Sequence, residues 1–329
     1  MPRPLLLALA LPLALACHSA GDGGAAERPG AAPARTAPSP FDWSSPRASL
    51  TMDAGEVAAR LGAFEWEANV AWTVMKASDP AHPIHVAEHH RLVQQPDGAF
   101  QVSADLDPGT WEGAQTGRTL IFDGKRTFAR GRWSPGGGAF RARPQDRGEE
   151  ARRHRDESFG LADEVARLCG PALELAPAGE LRVLTRDARR FSLRLGLERP
   201  SPPTPPKGPA PDEDTKRRLA LLEGRVPQEL SGELLADAQS GAPLAVRLRA
   251  VFGTRDDPAV RVEVQLDAAV TGVGDRVPPV GSPARIVAEP RAHGVARALE
   301  AAGLRKKGEK PEEEGEAAEG EPEQPERVP

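Results

Sequence analysis

Four histidines and a glutamate crowd one short stretch of this chain: His82, His85, Glu88, His89 and His90. A zinc ion takes three or four such ligands in a tetrahedral set. The spacing works against it. The stretch reads as a strand, where side chains alternate between faces, so His85 and His89 share one face while Glu88 and His90 share the other. The expectation is therefore no metal and exposed strand and loop histidines, with His85, Glu88, His89 and His90 as weak candidates for a small mixed site. No other cofactor is expected. No G-x-S-x-G elbow, Walker loop or H-E-x-x-H is present. The run Gly136-Gly137-Gly138 lacks the Lys-Ser/Thr that a phosphate loop carries. Arginines 141, 143, 147, 152, 153 and 155 could grip phosphate, but Asp146, Glu149, Glu150, Asp156 and Glu157 are interleaved with them, which describes a solvated, ion-paired face. The chain does not read as an enzyme.

Trp111-Glu112 and Trp133 fall in loop-like sequence, where an indole commonly plugs the end of a core. Cys169, in Ala166-Arg167-Leu168-Cys169-Gly170, reads as a buried thiol in the last turn of a helix stopped by glycine.

The elements around these residues are mostly strands. In Phe64-Glu65-Trp66-Glu67-Ala68-Asn69-Val70-Ala71-Trp72-Thr73-Val74 every even position is apolar, and a period of two gives one oily face and one wet face only in a strand. The same spelling recurs at Phe100/Val102/Ala104/Leu106, Phe191/Leu193/Leu195/Leu197, Leu244/Val246/Leu248/Ala250/Phe252 and Val260/Val262/Val264/Leu266. Asp123-Gly124, between strands at 118–122 and 125–132, signals a two-residue type I′ hairpin. About ten strands result, in an antiparallel sheet with one solvated face.

Three helices are expected as cover. One is short and capped by Asp53 with Glu56, one runs unbroken from Glu149 to Cys169, and the last spans Arg291 to Ala302. The fold class is thus mainly β with a few helices, a large curved antiparallel sheet forming an unclosed half-barrel with helical cover. A closed sandwich or barrel is the alternative. Phe64, Trp66, Val70, Trp72, Phe100, Val102, Phe122 and Phe128 are the candidate lining of an apolar cavity in either plain or ligand-holding form.

Both ends of the chain read differently from its body. Arg3 precedes an apolar run, Leu5 to Leu15, too short to span a bilayer but suited to an export signal. It ends in Ala14-Leu15-Ala16-Cys17, which resembles the lipobox of bacterial lipoproteins; the resemblance implies cleavage after residue 16 and acylation of Cys17. His18 follows, not the Asp of an inner-membrane retention signal, so the likeness leans toward an outer-membrane anchor facing the periplasm. Residues 17–48 read as an acylated N-terminus and flexible tether. The body is a single domain over residues 49–305, with a Pro-rich insertion at 199–216. Residues 306–329 hold nine glutamates against Lys306, Lys307, Lys310 and Arg327, which accounts for the whole net charge of −5. This acidic tail is expected to be disordered. The nearly neutral body argues against nucleic acid as a partner.

The order of elements resembles one known group. A short helix, a long amphipathic strand, a meander reading Ile121-Phe122-Asp123-Gly124-Lys125-Arg126-Thr127-Phe128 and later hairpins resemble the periplasmic lipoprotein-carrier superfamily of the LolA/LolB and LppX/LprG type. The likeness is architectural and covers about residues 51–290. It implies an unclosed barrel capped by helices whose cavity holds acyl chains, and hence a non-catalytic envelope lipoprotein that binds or transfers a lipid, lipoprotein acyl chain or similar amphiphile. An envelope interaction or structural lipoprotein with a closed core is the alternative function.

Overall fold

The computed structural model describes residues 39–107, 116–131, 138–143, 146–197, 224–254 and 259–287. Cys17, Trp111, Glu112, Trp133, the Pro-rich insertion 199–216, the helix expected at 291–302 and the acidic tail lie outside the described residues.

The chain opens with helix α1 (Ala54–Leu61), which starts where the Asp53 carboxylate accepts the Glu56 N–H. Six strands follow: β1 (Phe64–Lys76), β2 (Asp79–Gln94), β3 (Phe100–Asp107), β4 (Thr116–Phe122), β5 (Thr127–Gly131) and β6 (Phe140–Arg143). Helices α2 (Glu149–Phe159) and α3 (Leu161–Cys169) lead into β7 (Leu173–Val183), β8 (Arg186–Leu195), β9 (Arg225–Asp237), β10 (Pro243–Thr254) and β11 (Val260–Val273). The two-residue β12 (Ile286–Val287) ends the described fold.

All twelve strands form one sheet, in the order β12-β6-β5-β4-β3-β2-β1-β11-β10-β9-β8-β7. Two antiparallel meanders therefore meet at β1 and β11, and only β12 runs parallel to its neighbour. The sheet is not closed: β7 and β12 stand at opposite edges. Eleven strand spacings make it about 53 Å wide if laid flat, yet residues from β4 through β8 belong to one buried cluster with the helices. It must curve to bury them together. Among the described residues the architecture is the unclosed sheet with helical cover, not the closed barrel or sandwich.

Register places the even residues of β1 on the inner face with those of β2, β3, β10 and β11, through pairs such as Trp66↔Leu92, Leu92↔Val102, Val70↔Leu266 and Leu266↔Leu248. The odd residues make the outer face. There Arg247 bridges Glu233 and Asp267, and Arg249 bridges Glu229 and Glu263. Hydrogen bonding from Arg249 first, then from Gln265, holds the Glu263 carboxyl below its usual range. Exposed pairs of this kind contribute about 0–1 kcal/mol each, so the ladder keeps the outer face solvated more than it stabilises the fold.

Several elements differ from the sequence reading. The segment Phe140–Arg143, read as loop, is a strand at the β5 edge. The hairpin after Phe122 has a four-residue loop, because Phe122 pairs with Thr127. The Asp123 carboxylate accepts the backbone N–H of both Lys125 and Arg126 at 3.0 and 2.7 Å; of Asp123 and Gly124 only the glycine has positive φ, whereas a type I′ turn needs it at both. The helix expected over 149–169 is two helices broken at Gly160, where a Cβ would stand 2.7 Å from the Asp156 carbonyl oxygen. Residues 39–48, read as part of a tether, are docked from Ser39 onward. Trp43 stacks on Phe191 with ring centroids 5.8 Å apart, and Phe41 packs edge-on to Trp43. These two aromatic rings, together with Arg47, which donates to the Gly170 and Ala166 carbonyls, hold the segment in place.

Cys169 is fully buried at the end of α3, and burial pushes its thiol up to about 12 despite the opposing charge of Arg47. The thiol is accordingly protonated and sheltered in the folded chain. It should resist iodoacetamide at pH 8.5 until the protein is unfolded; stoichiometric labelling of the native chain at Cys169, read by peptide mass spectrometry, would contradict this packing. A second expectation concerns the helix break. Gly160→Ala should cost about 1–2 kcal/mol, seen as a melting temperature lower by several degrees.

Candidate functional site

The inner face is where the sequence's candidate lining residues meet. Phe64, Trp66, Val70, Trp72, Phe100, Val102 and Phe122 all belong to the single core cluster, and none is more than 8% exposed. The side chain of Phe159 at the end of α2 lies against Phe64 and Trp66, at centroid distances of 5.8 and 5.1 Å. Phe128 is the exception. It pairs with Ile121 on the outer face, where Arg126 lies over its ring at 5.2 Å. An even-numbered hairpin loop inverts parity, so Phe122 and Phe128, both even, end on opposite sides of the sheet.

The histidine-rich stretch is β2, and the period of two splits it as expected. His85 and His89 stand on the outer face, within hydrogen-bond reach of Thr73 Oγ1 (3.1 Å) and Asn69 Oδ1 (2.9 Å). Glu88 and His90 point inward, and this corrects the reading of the histidines as exposed: His90 is 2% exposed and Glu88 7%. Their neighbour is Trp72. The Glu88 carboxylate accepts the Trp72 indole N–H at 2.9 Å on one oxygen and the His90 Nε2–H at 3.0 Å on the other. Among the described residues no group of three His, Cys, Asp or Glu side chains is placed to hold a metal ion.

A second polar group sits under α2. Arg118, inward on β4, donates to His154 Nδ1 at 3.1 Å and to Glu150 at 3.4 Å. Arg155 is buried over the Phe100 ring at 4.9 Å and donates to the Gln94 side chain. The arginines of 149–157 were read as a solvated face. Arg155 is instead turned into the core, because a guanidinium can stack on an aromatic ring while its N–H groups find a partner.

Burial of the inner face is graded. In β1, β10 and β11 its central residues, Ala68, Trp72, Ala250, Val262 and Val264, are no more than 1% exposed. The inward residues Ile84, Ala104, Leu106, Arg118 and Ala129 are only half-buried, as are Leu175 and Leu195 near the β7 edge, while Leu120 and Phe122 on β4 are buried. The apolar surface left partly exposed therefore lies at the margins of the inner face.

The outer face carries a groove of about 800 Å³ across β3, β2, β1, β11, β10 and β9. Its floor includes Ala71 and Ala87, with Asp105 and Asp107 at one end and Arg247 and Arg249 at the other. Both arginines are already committed to carboxylates. The groove is thus a partly apolar surface rimmed by ion pairs.

These features define an open-sheet protein with a buried apolar face, a polar group set within that face and half-exposed margins. Two solved structures are similar in outline. One is a LolA superfamily protein from Nitrosomonas europaea, 9% identical, matched over 71% of this chain and 97% of that one with a TM-score of 0.22. The other is an outer membrane lipoprotein-sorting protein domain from Vibrio parahaemolyticus, described as putative in its own name, 9% identical, matched over 70% and 96% with a TM-score of 0.23. No protein-family model and no curated protein matches the chain. At these scores the likeness carries no functional argument, which rests on the geometry above.

The sequence hid the Glu88–His90 pair because charged and imidazole side chains read as surface. Its signal was parity: Val86, Glu88, His90 and Leu92 are one face of one strand. Glu88→Leu should leave two buried donors, Trp72 Nε1–H and His90 Nε2–H, without their acceptor and cost about 2–4 kcal/mol in urea unfolding. Glu88→Gln, which keeps an acceptor for Trp72, should cost less than half of that. Equal losses in the two variants would mean the carboxylate's hydrogen bonds are not what the site depends on.

Proposed function

We propose that this chain is an envelope lipoprotein, anchored by an acylated Cys17, whose body binds or passes on a lipid, acyl chain or similar amphiphile without catalysis. The observation that carries the reading is the graded burial of the inner face. A sheet closed around its own core would seal that face on every strand, whereas Ile84, Leu106, Ala129, Leu175 and Leu195 leave apolar surface half-exposed at its margins. An acyl chain moving from water onto such a surface gains about 25 cal/mol per Å² buried. The helical cover of α1, α2 and α3 is made of three short pieces of 8, 11 and 9 residues, and short pieces joined at a glycine can shift as units to admit a chain. The outer-membrane, periplasm-facing location belongs to this reading through Cys17 and His18, with the membrane as partner, and the nearly neutral body argues against nucleic acid.

A second reading, an interaction protein with a closed core, draws on the complete burial of Phe64, Phe100 and Val102, each 0% exposed.

Native mass spectrometry of the full chain purified from a membrane extract distinguishes them. The carrier reading expects a stoichiometric amphiphile, lost in Leu106→Asp while the melting temperature falls by only a few degrees. A bare mass across several lipid extracts, with a melt unmoved by added lipid, would leave the interaction protein. Separately, Cys17→Ser should move the chain from the membrane fraction to the soluble fraction and remove the acyl mass; a variant that stays membrane-bound would refute the anchor.

A further inference from the structure

The arginines of the sheet are neutralised on one half and left over on the other. On β8, β10 and β11, Arg186, Arg190, Arg194, Arg247, Arg249 and Arg261 each reach a carboxylate on another strand. Strands β4, β5 and β6 are built otherwise. Residues 116–131 and 138–143 hold Arg118, Lys125, Arg126, Arg130, Arg141 and Arg143 against the one anion Asp123, six cations to one and a formal +5. Arg118 pairs with Glu150 and Arg126 with Asp123. Among the described residues no carboxylate pairs with Lys125, Arg130 or Arg141, nor with Arg285 just before β12. Helix α2 does not redress the balance. Over 146–153 Asp146, Glu149 and Glu150 are matched by Arg147, Arg152 and Arg153, and Asp146 already accepts the Thr127 hydroxyl and the Glu150 N–H. Asp105 and Asp107 belong to β3, two strands in from β5.

Two of the unpaired cations flank the sheet's edge on opposite faces. Arg141 pairs with the inward Ala129 and so points inward. Arg130, two residues on from the outward Phe128, lies on the outer face with its guanidinium over the Phe140 ring at 4.7 Å. Both are half-buried, whereas Lys125 and Arg285 are exposed. Between the two faces runs the edge itself, β12. Ile286 pairs with Phe140 and Val287 with Arg141. They are 43% and 37% exposed, two of the four large apolar side chains left exposed among the described residues. Charge commonly blunts a strand at the edge of a sheet; this one has an aliphatic tip with cations to either side.

We propose that this edge is a second contact with the membrane. Strand β12 meets an anionic bilayer surface edge-on, with Ile286 and Val287 entering the headgroup boundary and Lys125, Arg130, Arg141 and Arg285 lying against lipid phosphates. Charge complementarity selects this occupant: a bilayer interface takes apolar side chains and cations together, and a guanidinium offers a phosphate two parallel hydrogen bonds. The contact goes beyond the carrier reading and does not depend on it, because no ligand on the inner face takes part.

The test is flotation with vesicles of phosphatidylglycerol and phosphatidylcholine in about equal parts. It uses residues 18–329, which lack the apolar run and Cys17 but keep every described residue. This chain should float with those vesicles and not with pure phosphatidylcholine, and rising salt, from about 0.1 to about 0.5 M, should release it. A cation at such a surface is worth about fivefold in affinity, so Arg130→Gln together with Arg141→Gln should weaken binding about twentyfold. Ile286→Asp, at an exposed position, should weaken it at least about fivefold and serves as the second variant if the double substitution does not fold. Arg247→Gln with Arg249→Gln, on the paired half, should stay within about twofold. Flotation with neither vesicle, equal flotation with both, or a loss from the Arg247 and Arg249 pair as large as from Arg130 and Arg141 would overturn the assignment. Binding that appears only once residues 306–329 are removed would give the edge to the acidic tail and overturn it as well. The carrier reading, tested by the co-purified amphiphile, stands or falls separately.

Discussion

The fold depends on burying one face of β1. This strand lies at the junction of two meanders, paired with β11 along its whole length and with β2 along nearly all of it. Phe64, Trp66, Ala68, Val70, Trp72 and Val74 all point the same way, and each is at most 7% exposed. Full burial of a large apolar side chain contributes about 1.5–3 kcal/mol. A register slip of one residue would carry the whole set into water and bring Glu65 and Glu67 inside. The register of every neighbouring strand is therefore set by this one, and so is the identity of every residue on the inner wall.

That constraint explains how polar groups come to lie inside. Once β1 fixes β2, Glu88 and His90 have no choice of face, and their desolvation must be offset locally. Trp72 supplies one donor and the two residues satisfy each other. The same holds for Arg118, which β3 brings inward and which finds His154 and Glu150 on α2. In a sheet that served only as a core, apolar residues of similar volume at these positions would be equally stable or more so.

The two halves of the sheet are built to different tolerances. On the β8–β11 side, Asp237 is held by Arg186 and by the Ser240 N–H and hydroxyl. Burial opposes ionisation, but these hydrogen bonds and the Arg186 charge outweigh it and keep the carboxyl below its ordinary value. The stabilisation it brings is present above the unfolded carboxylate pKa and is lost as pH falls through the lower folded one. On the β4–β6 side the strands are short, seven, five and four residues.

Strand identity was legible in the sequence wherever apolar residues alternated without interruption. β1, β3, β10 and β11 were all visible in this way because period two is a local property of the chain. So were the Asp53 cap and the buried Cys169, each specified by near neighbours. Phe140–Arg143 was not legible, since a four-residue strand between β5 and β12 is made by its partners and not by its own pattern. The split at Gly160 turned on one backbone contact, and the docking of Trp43 on Phe191 joins residues far apart in the chain. The sheet's inner and outer faces followed from parity alone, but parity across a hairpin needs the loop length, and this put Phe128 on the wrong side. The sequence by itself determined that this protein has one apolar sheet face to bury. Only the tertiary structure decided that Glu88 and His90 lie within it, because the face of a polar residue is chosen by the strand to which its own strand is paired.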